Sequence, residues 1–146
     1  MKLFRKRSLA FWSLPVALLL NGCGELVSEC NSLDARTFVV KIISGDNHNP
    51  LVNYAVKNSS WVAAMAGDTR TEAEKATILE EARQGAVYRL DEAVLTNSRN
   101  KTTQTTSCSG LLSVTVGDTT AQKQVDFQVK RTIDGKISVL VNPFVF

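Results

Sequence analysis

The chain has 146 residues, room for one domain and little more. Its 44% apolar and 21% charged content excludes wholesale disorder, and no apolar run reaches the ~18 residues of a membrane-spanning helix. The formal charge of +3 belongs to Lys2, Arg5, Lys6 and Arg7; from residue 23 onward thirteen basic residues face fourteen acidic ones, so no nucleic-acid partner is expected.

The basic start is followed by a twelve-residue, mostly apolar stretch, Leu9 to Leu20. This is the layout of a secretory signal peptide. As a helix the stretch reaches ~18 Å, short of a ~30 Å hydrocarbon core. Leu20-Asn21-Gly22-Cys23 comes next. These residues resemble the lipobox of bacterial lipoproteins: a large aliphatic residue, two variable small positions, then cysteine. Asn21 is larger than the residue usual at its place. The resemblance implies that residues 1–22 are cut away and that Cys23 is acylated on its thiol and on its new amino group. Several acyl chains, at ~0.8 kcal/mol per buried CH₂, would anchor the protein durably to a membrane. Gly24, where inner-membrane lipoproteins commonly carry Asp, implies the outer membrane, facing the periplasm.

With Cys23 assigned to lipid, Cys30 and Cys108 remain. An even pair in an exported chain reads as one disulfide, with two free thiols as the alternative. No Cys-x-x-Cys occurs, and the sole histidine, His48, is distant in sequence from both cysteines. Redox and zinc spacings are therefore missing, and no cofactor or metal is expected.

Residues 23–31 read as the acylated start and a short tether, and residues 32–146 as a single domain. Ser32 caps an expected helix over Leu33–Ser44, with Ala35, Phe38, Val39, Ile42 and Ile43 on one side. Its β-branched pairs keep a strand alternative open. Asn49-Pro50 opens a helix through Val56, and Trp61–Ala66 is a further helical stretch ending at Gly67. Trp61 and Met65 are expected in the core, a partner-facing or membrane-facing patch being the alternative. Thr71-Glu72-Ala73-Glu74 is a capping box for a helix running to Gln84 before Gly85. Its side of Ala73, Ala76, Leu79 and Ala82 suggests close packing on a sheet.

From Ala86 the apolar period becomes two. Tyr88, Leu90 and Val94 mark a strand reaching Thr96, and a polar loop is expected over Asn97–Thr106. Cys108, Gly110, Leu112, Val114 and Val116 share one face of a second strand, turned by Gly117-Asp118. Val125, Phe127, Val129, Arg131 and Ile133 mark the third. Asp134-Gly135 predicts a type I′ hairpin, and Ile137, Val139 and Val141 the last strand, ended by Pro143. The order predicts an α+β fold, with N-terminal helices packed on a C-terminal four-stranded antiparallel meander. In element order it is similar to cystatin-like and NTF2-like rolls.

Asp46 and His48 sit in a breaker cluster and read as turn residues. Glu80-Glu81 and Asp91-Glu92 are sequence neighbours, whose side chains diverge, and read as solvated. No Gly-x-Ser-x-Gly is present. The polar stretch containing Asn100 and Lys101 reads either as a wet hairpin end or as a binding loop. Arg131 on an apolar face belongs at the sheet's end, where its side chain reaches water, or else binds an anionic group. The expectation is a lipid-anchored, non-enzymatic envelope protein working through contact with a protein partner. The alternative is a small-ligand-binding or enzyme-inhibitor module.

Overall fold

A computed structural model describes residues 29–68 and 70–142. The leader, Cys23 and Pro143 lie outside the described residues. A single 3₁₀ turn, Glu29–Asn31, opens the folded body, in residues assigned above to the tether. Four α-helices follow among the described residues: α1 (Leu33–Ser44), α2 (Pro50–Asn58), α3 (Ser60–Ala66) and α4 (Glu72–Gln84). Five strands come next among the described residues: β1 (Val87–Leu90), β2 (Leu95–Asn100), β3 (Thr105–Val116), β4 (Thr119–Arg131) and β5 (Ile137–Val141). They form one antiparallel sheet in the order β1-β3-β4-β5, with β2 pairing β3 beyond β1. The fold is α+β with a C-terminal antiparallel sheet, as expected. No described helix is long and apolar enough to cross a membrane.

The helix starts follow their caps. Ser32 accepts from the Ala35 N–H at 3.2 Å, and α1 forms despite its β-branched residues. The Asn49 side chain accepts from the Leu51 and Val52 N–H groups, with Pro50 in the first turn. Both arms of the Thr71/Glu74 capping box are made. α2 runs two residues past the expected Val56, to Asn58.

The core lies between one sheet face and α1 and α2. The sheet supplies Leu112, Val114, Val116, Val125, Phe127 and Val129; the helices supply Ala35, Val39, Leu51, Val52 and Ala55. Full burial of each large side chain stabilises by roughly 1.5–3 kcal/mol. α1 contacts both β1 and β5, so the sheet curls around it, while α2 lies on β3 and β4. The α1 residues facing this trough are Ala35, Val39 and Ile43; Phe38 and Ile42 are instead 42% and 47% exposed. Only a stripe at four-residue spacing fits between the two sheet edges.

Three further expectations are corrected. α4 packs on α2 and α3. The sheet face is already taken by α1 and α2, so α4 buries Ile78 and Ala82 against its helical neighbours and leaves Ala73 and Ala76 exposed. Trp61 is 49% exposed, lying over Gly117 at the β3–β4 turn, and Met65 is half-buried. The residues Asn97–Asn100 belong to β2, so the polar loop shrinks to Lys101–Gln104. Every β2 side chain is exposed, so the alternation that marks a half-buried strand is missing there.

β1 and β2 are one strand interrupted at Asp91–Val94, and both pair along the longer β3. The interruption faces Gly110, where an added Cβ would lie 3.1 Å from Leu90 and 3.4 Å from Val94. The absent side chain lets the broken strand fold in over β3. The β3–β4 turn has positive φ at Gly117 alone (+56°), the pattern of a type II′ turn. The β4–β5 turn is not type I′. Asp134 has no positive φ; the Gly135 N–H donates to the Thr132 carbonyl at 2.9 Å, and Gly135 takes φ +80°. That is a three-residue loop, a type I turn followed by a left-handed glycine.

Candidate functional site

Cys30 and Cys108 are bridged, with 5.7 Å between their Cα atoms, and both are buried. The bridge pins the opening 3₁₀ turn onto β3. It thereby sets Glu29 at the end of the sheet where the β2–β3 and β4–β5 turns lie. Glu29 Oε1 is 3.1 Å from Arg131 Nε, and Glu29 Oε2 accepts from the Thr106 hydroxyl at 3.0 Å. Burial pushes the Glu29 carboxyl up. The Arg131 and Thr106 bonds, with the charges of Arg131 and Arg99, outweigh it and hold the group below the usual carboxylate range.

Around this pair opens a surface cleft of about 310 Å³, lined by Glu29, Arg99, Lys101, Thr106 and Arg131, with Asn100 and Gln104 at the turn. The structure thus brings Asn100, Lys101 and Arg131 into one place. Asn100 shapes the turn: its side-chain oxygen accepts from the Thr102 and Thr103 N–H groups at 3.0 and 3.1 Å. Lys101 is exposed. Arg131 sits at the sheet's end, its side chain 46% exposed, and donates also to the Gly135 carbonyl at 3.4 Å. The anionic group it meets is Glu29 of the same chain. Arg99 and Glu29 were not singled out from the sequence. The cysteine pairing carried the signal for Glu29, since bridging Cys30 to Cys108 brings residue 29 near residue 106.

A second polar cluster lies on the helical side. His48 Nε2 stands 3.3 Å from Glu80 Oε2, and the Asn47 amide donates to Glu80 Oε1 at 3.0 Å. Arg83 reaches both Glu80 (3.4 Å) and the Asn53 side-chain oxygen (2.9 Å). Asp46 accepts from the His48 backbone N–H, as a turn residue does, while the imidazole is used across the fold on α4. The Gln84 bond, together with His48 and Arg83, lowers the Glu80 carboxyl against some burial. These groups tie the α1–α2 loop to α4. Beside them runs an open groove of about 580 Å³ between α2, α3 and α4, lined by Val56, Val62, Ala63 and Leu79. Asp91, of the other carboxylate pair, accepts from the Glu92 N–H within the β1–β2 interruption. Among the described residues no group of three or more His, Cys, Asp or Glu could hold a metal ion.

At the end of the sheet opposite the basic cleft, Asp118 accepts from the Ser59 hydroxyl (2.6 Å), the Ser60 hydroxyl and the Trp61 N–H (3.3 Å). It joins the β3–β4 turn to the start of α3. These bonds hold its carboxyl far below the usual carboxylate range.

No protein-family model, curated protein or solved structure matches this chain.

Proposed function

We propose that this chain is a lipid-anchored cell-envelope lipoprotein, moored through Cys23, that acts as a non-catalytic accessory or structural protein through contact with another envelope protein. The outer membrane, facing the periplasm, is its place. The anchor rests on Leu20-Asn21-Gly22-Cys23. The observation that carries the contact role is an apolar pair left exposed over a filled core. Phe38 and Ile42 are one turn apart on α1, and Ile42 lines a groove with Pro50 and Val141. Phe127, Leu112, Val39 and Val52 behind them are fully buried. A contiguous exposed apolar patch marks a contact site, whereas an enclosed apolar cavity marks a ligand site.

A small-ligand reading draws on the groove between α2, α3 and α4. That groove is open to solvent, and its polar groups Asn53 and Arg83 bond each other. Protein contact is therefore the better reading. The test is a photo-crosslinking residue at position 38 in cells. One defined envelope-protein adduct, lost with Ile42→Glu, supports the role. The same adducts from a crosslinker at Ala76, on the far side of the helical layer, would remove it.

A further inference from the structure

The charges of the described residues cancel, with thirteen Lys and Arg against thirteen Asp and Glu, but they are not evenly spread. The last rung to cross all of β2 to β5 is Asn100, Thr105, Lys130 and Ser138, with Arg131 and Ile137 paired one step beyond it. At or beside that rung stand Arg99, Lys101, Lys130, Arg131 and Lys136, opposed among the described residues by Glu29 and Asp134. Glu29 pairs with Arg131 and Asp134 with Lys136. Arg99, Lys101 and Lys130 carry no ion pair among the described residues. Ile133, at the tip of the β4–β5 turn on this same end, is fully exposed, the most exposed large apolar side chain among the described residues. An apolar tip ringed by cations is the chemistry of an interface with anionic headgroups over hydrocarbon.

The chain enters the fold here. Glu29 is held at this end, and Cys23 is six residues earlier, a reach of at most ~20 Å. We infer that this end of the sheet docks on the anionic phospholipid surface of the membrane, with Ile133 entering the headgroup layer and the basic residues around it meeting lipid phosphates. The orientation rests on the anchoring of Cys23 proposed above. Tethering keeps the cations within reach of a surface potential that decays over ~10 Å. Docking through this end leaves the face of α1 with Phe38 and Ile42 open beside the bilayer, Ile42 lying near Val141 at the far end of β5. Each cation near such a surface strengthens attachment about fivefold.

The test uses the full chain purified from membranes and placed in phosphatidylcholine vesicles, with or without phosphatidylglycerol. Amide hydrogen exchange is followed at the β2–β3 and β4–β5 turns, with the Gly117-Asp118 turn as reference. Slower exchange at the first two turns in anionic vesicles only, reversed by high salt, is expected. Replacing Lys101, Lys130 and Lys136 by Gln, all exposed and outside the core, weakens this protection about fivefold per charge. Ile133→Ser also weakens it. Equal exchange in both vesicle types, or protection at the Gly117 turn instead, overturns the inference. The mass of the amino-terminal peptide from the same sample separates the two readings. Protected turns on an unacylated chain leave docking standing and remove the anchor. An acylated chain with unprotected turns removes docking alone.

Discussion

Reducing the Cys30–Cys108 bridge tests how the domain is closed. The bridge joins positions 78 residues apart, so in the unfolded chain it closes a loop that takes in all of α1 to α4, β1 and β2. The loop-entropy relation for that length gives about 4.5 kcal/mol of stabilisation. For a domain of this size, with a urea dependence of about 2 kcal/mol per molar, reduction should lower the unfolding midpoint by about 2 M. The assay is urea unfolding followed by circular dichroism, with and without reductant, on the same preparation. Comparing one chain in two redox states changes no side-chain volume. Reduction should also release the opening turn, loosening the Glu29–Arg131 pair and speeding amide exchange in β2. The thiols of Cys30 and Cys108 should resist alkylation until reductant is added. A midpoint shift below about 0.5 M, equivalent to about 1 kcal/mol, would refute the loop-closure reasoning.

Asn49→Ala should cost about 2–4 kcal/mol in thermal or urea unfolding: it removes the α2 cap and also the 2.9 Å donor to the hydroxyl of half-buried Tyr88. A loss below about 0.5 kcal/mol would show that neither bond matters. Gly117→Ala should cost about 2 kcal/mol or more, since φ is +56° and the new Cβ would lie 2.9 Å from Ser59 Oγ and the Trp61 ring; an unchanged melting temperature would contradict that turn. Asp118 has a folded pKa below its unfolded value. Its contribution is therefore complete above the unfolded value of about 4, shrinks as pH falls below it and is gone once pH has passed through the folded one. The stability difference between the native chain and Asp118→Asn should be constant from neutral pH to about pH 4 and shrink in stronger acid. A difference that grows in acid would reverse the assignment.

Much of the fold was legible because its signals are local. The caps at Ser32, Asn49 and Thr71 and the alternation in β3 and β4 each read directly as elements. What failed depended on partners far along the chain. β2 has no buried side, so its strand character comes only from backbone pairing with β3. The displacement of α4 to an outer layer follows from α1 and α2 filling the sheet face, which α4's own residues do not encode. His48 reads as a turn residue locally, and its ring contact on Glu80 crosses thirty-two positions. In the basic cleft, Arg131 was marked by its misfit to an apolar face, whereas Glu29 required the bridge, and Arg99 required the β2 pairing, to become visible.

The central claim is the anchor. Intact-mass and peptide mass spectrometry of the chain extracted from its native membrane measures it directly. The account predicts an amino terminus at Cys23 carrying fatty-acyl mass on both its thiol and its amino group. A terminus that retains residues 1–22, or a Cys23 with no acyl group, would contradict it.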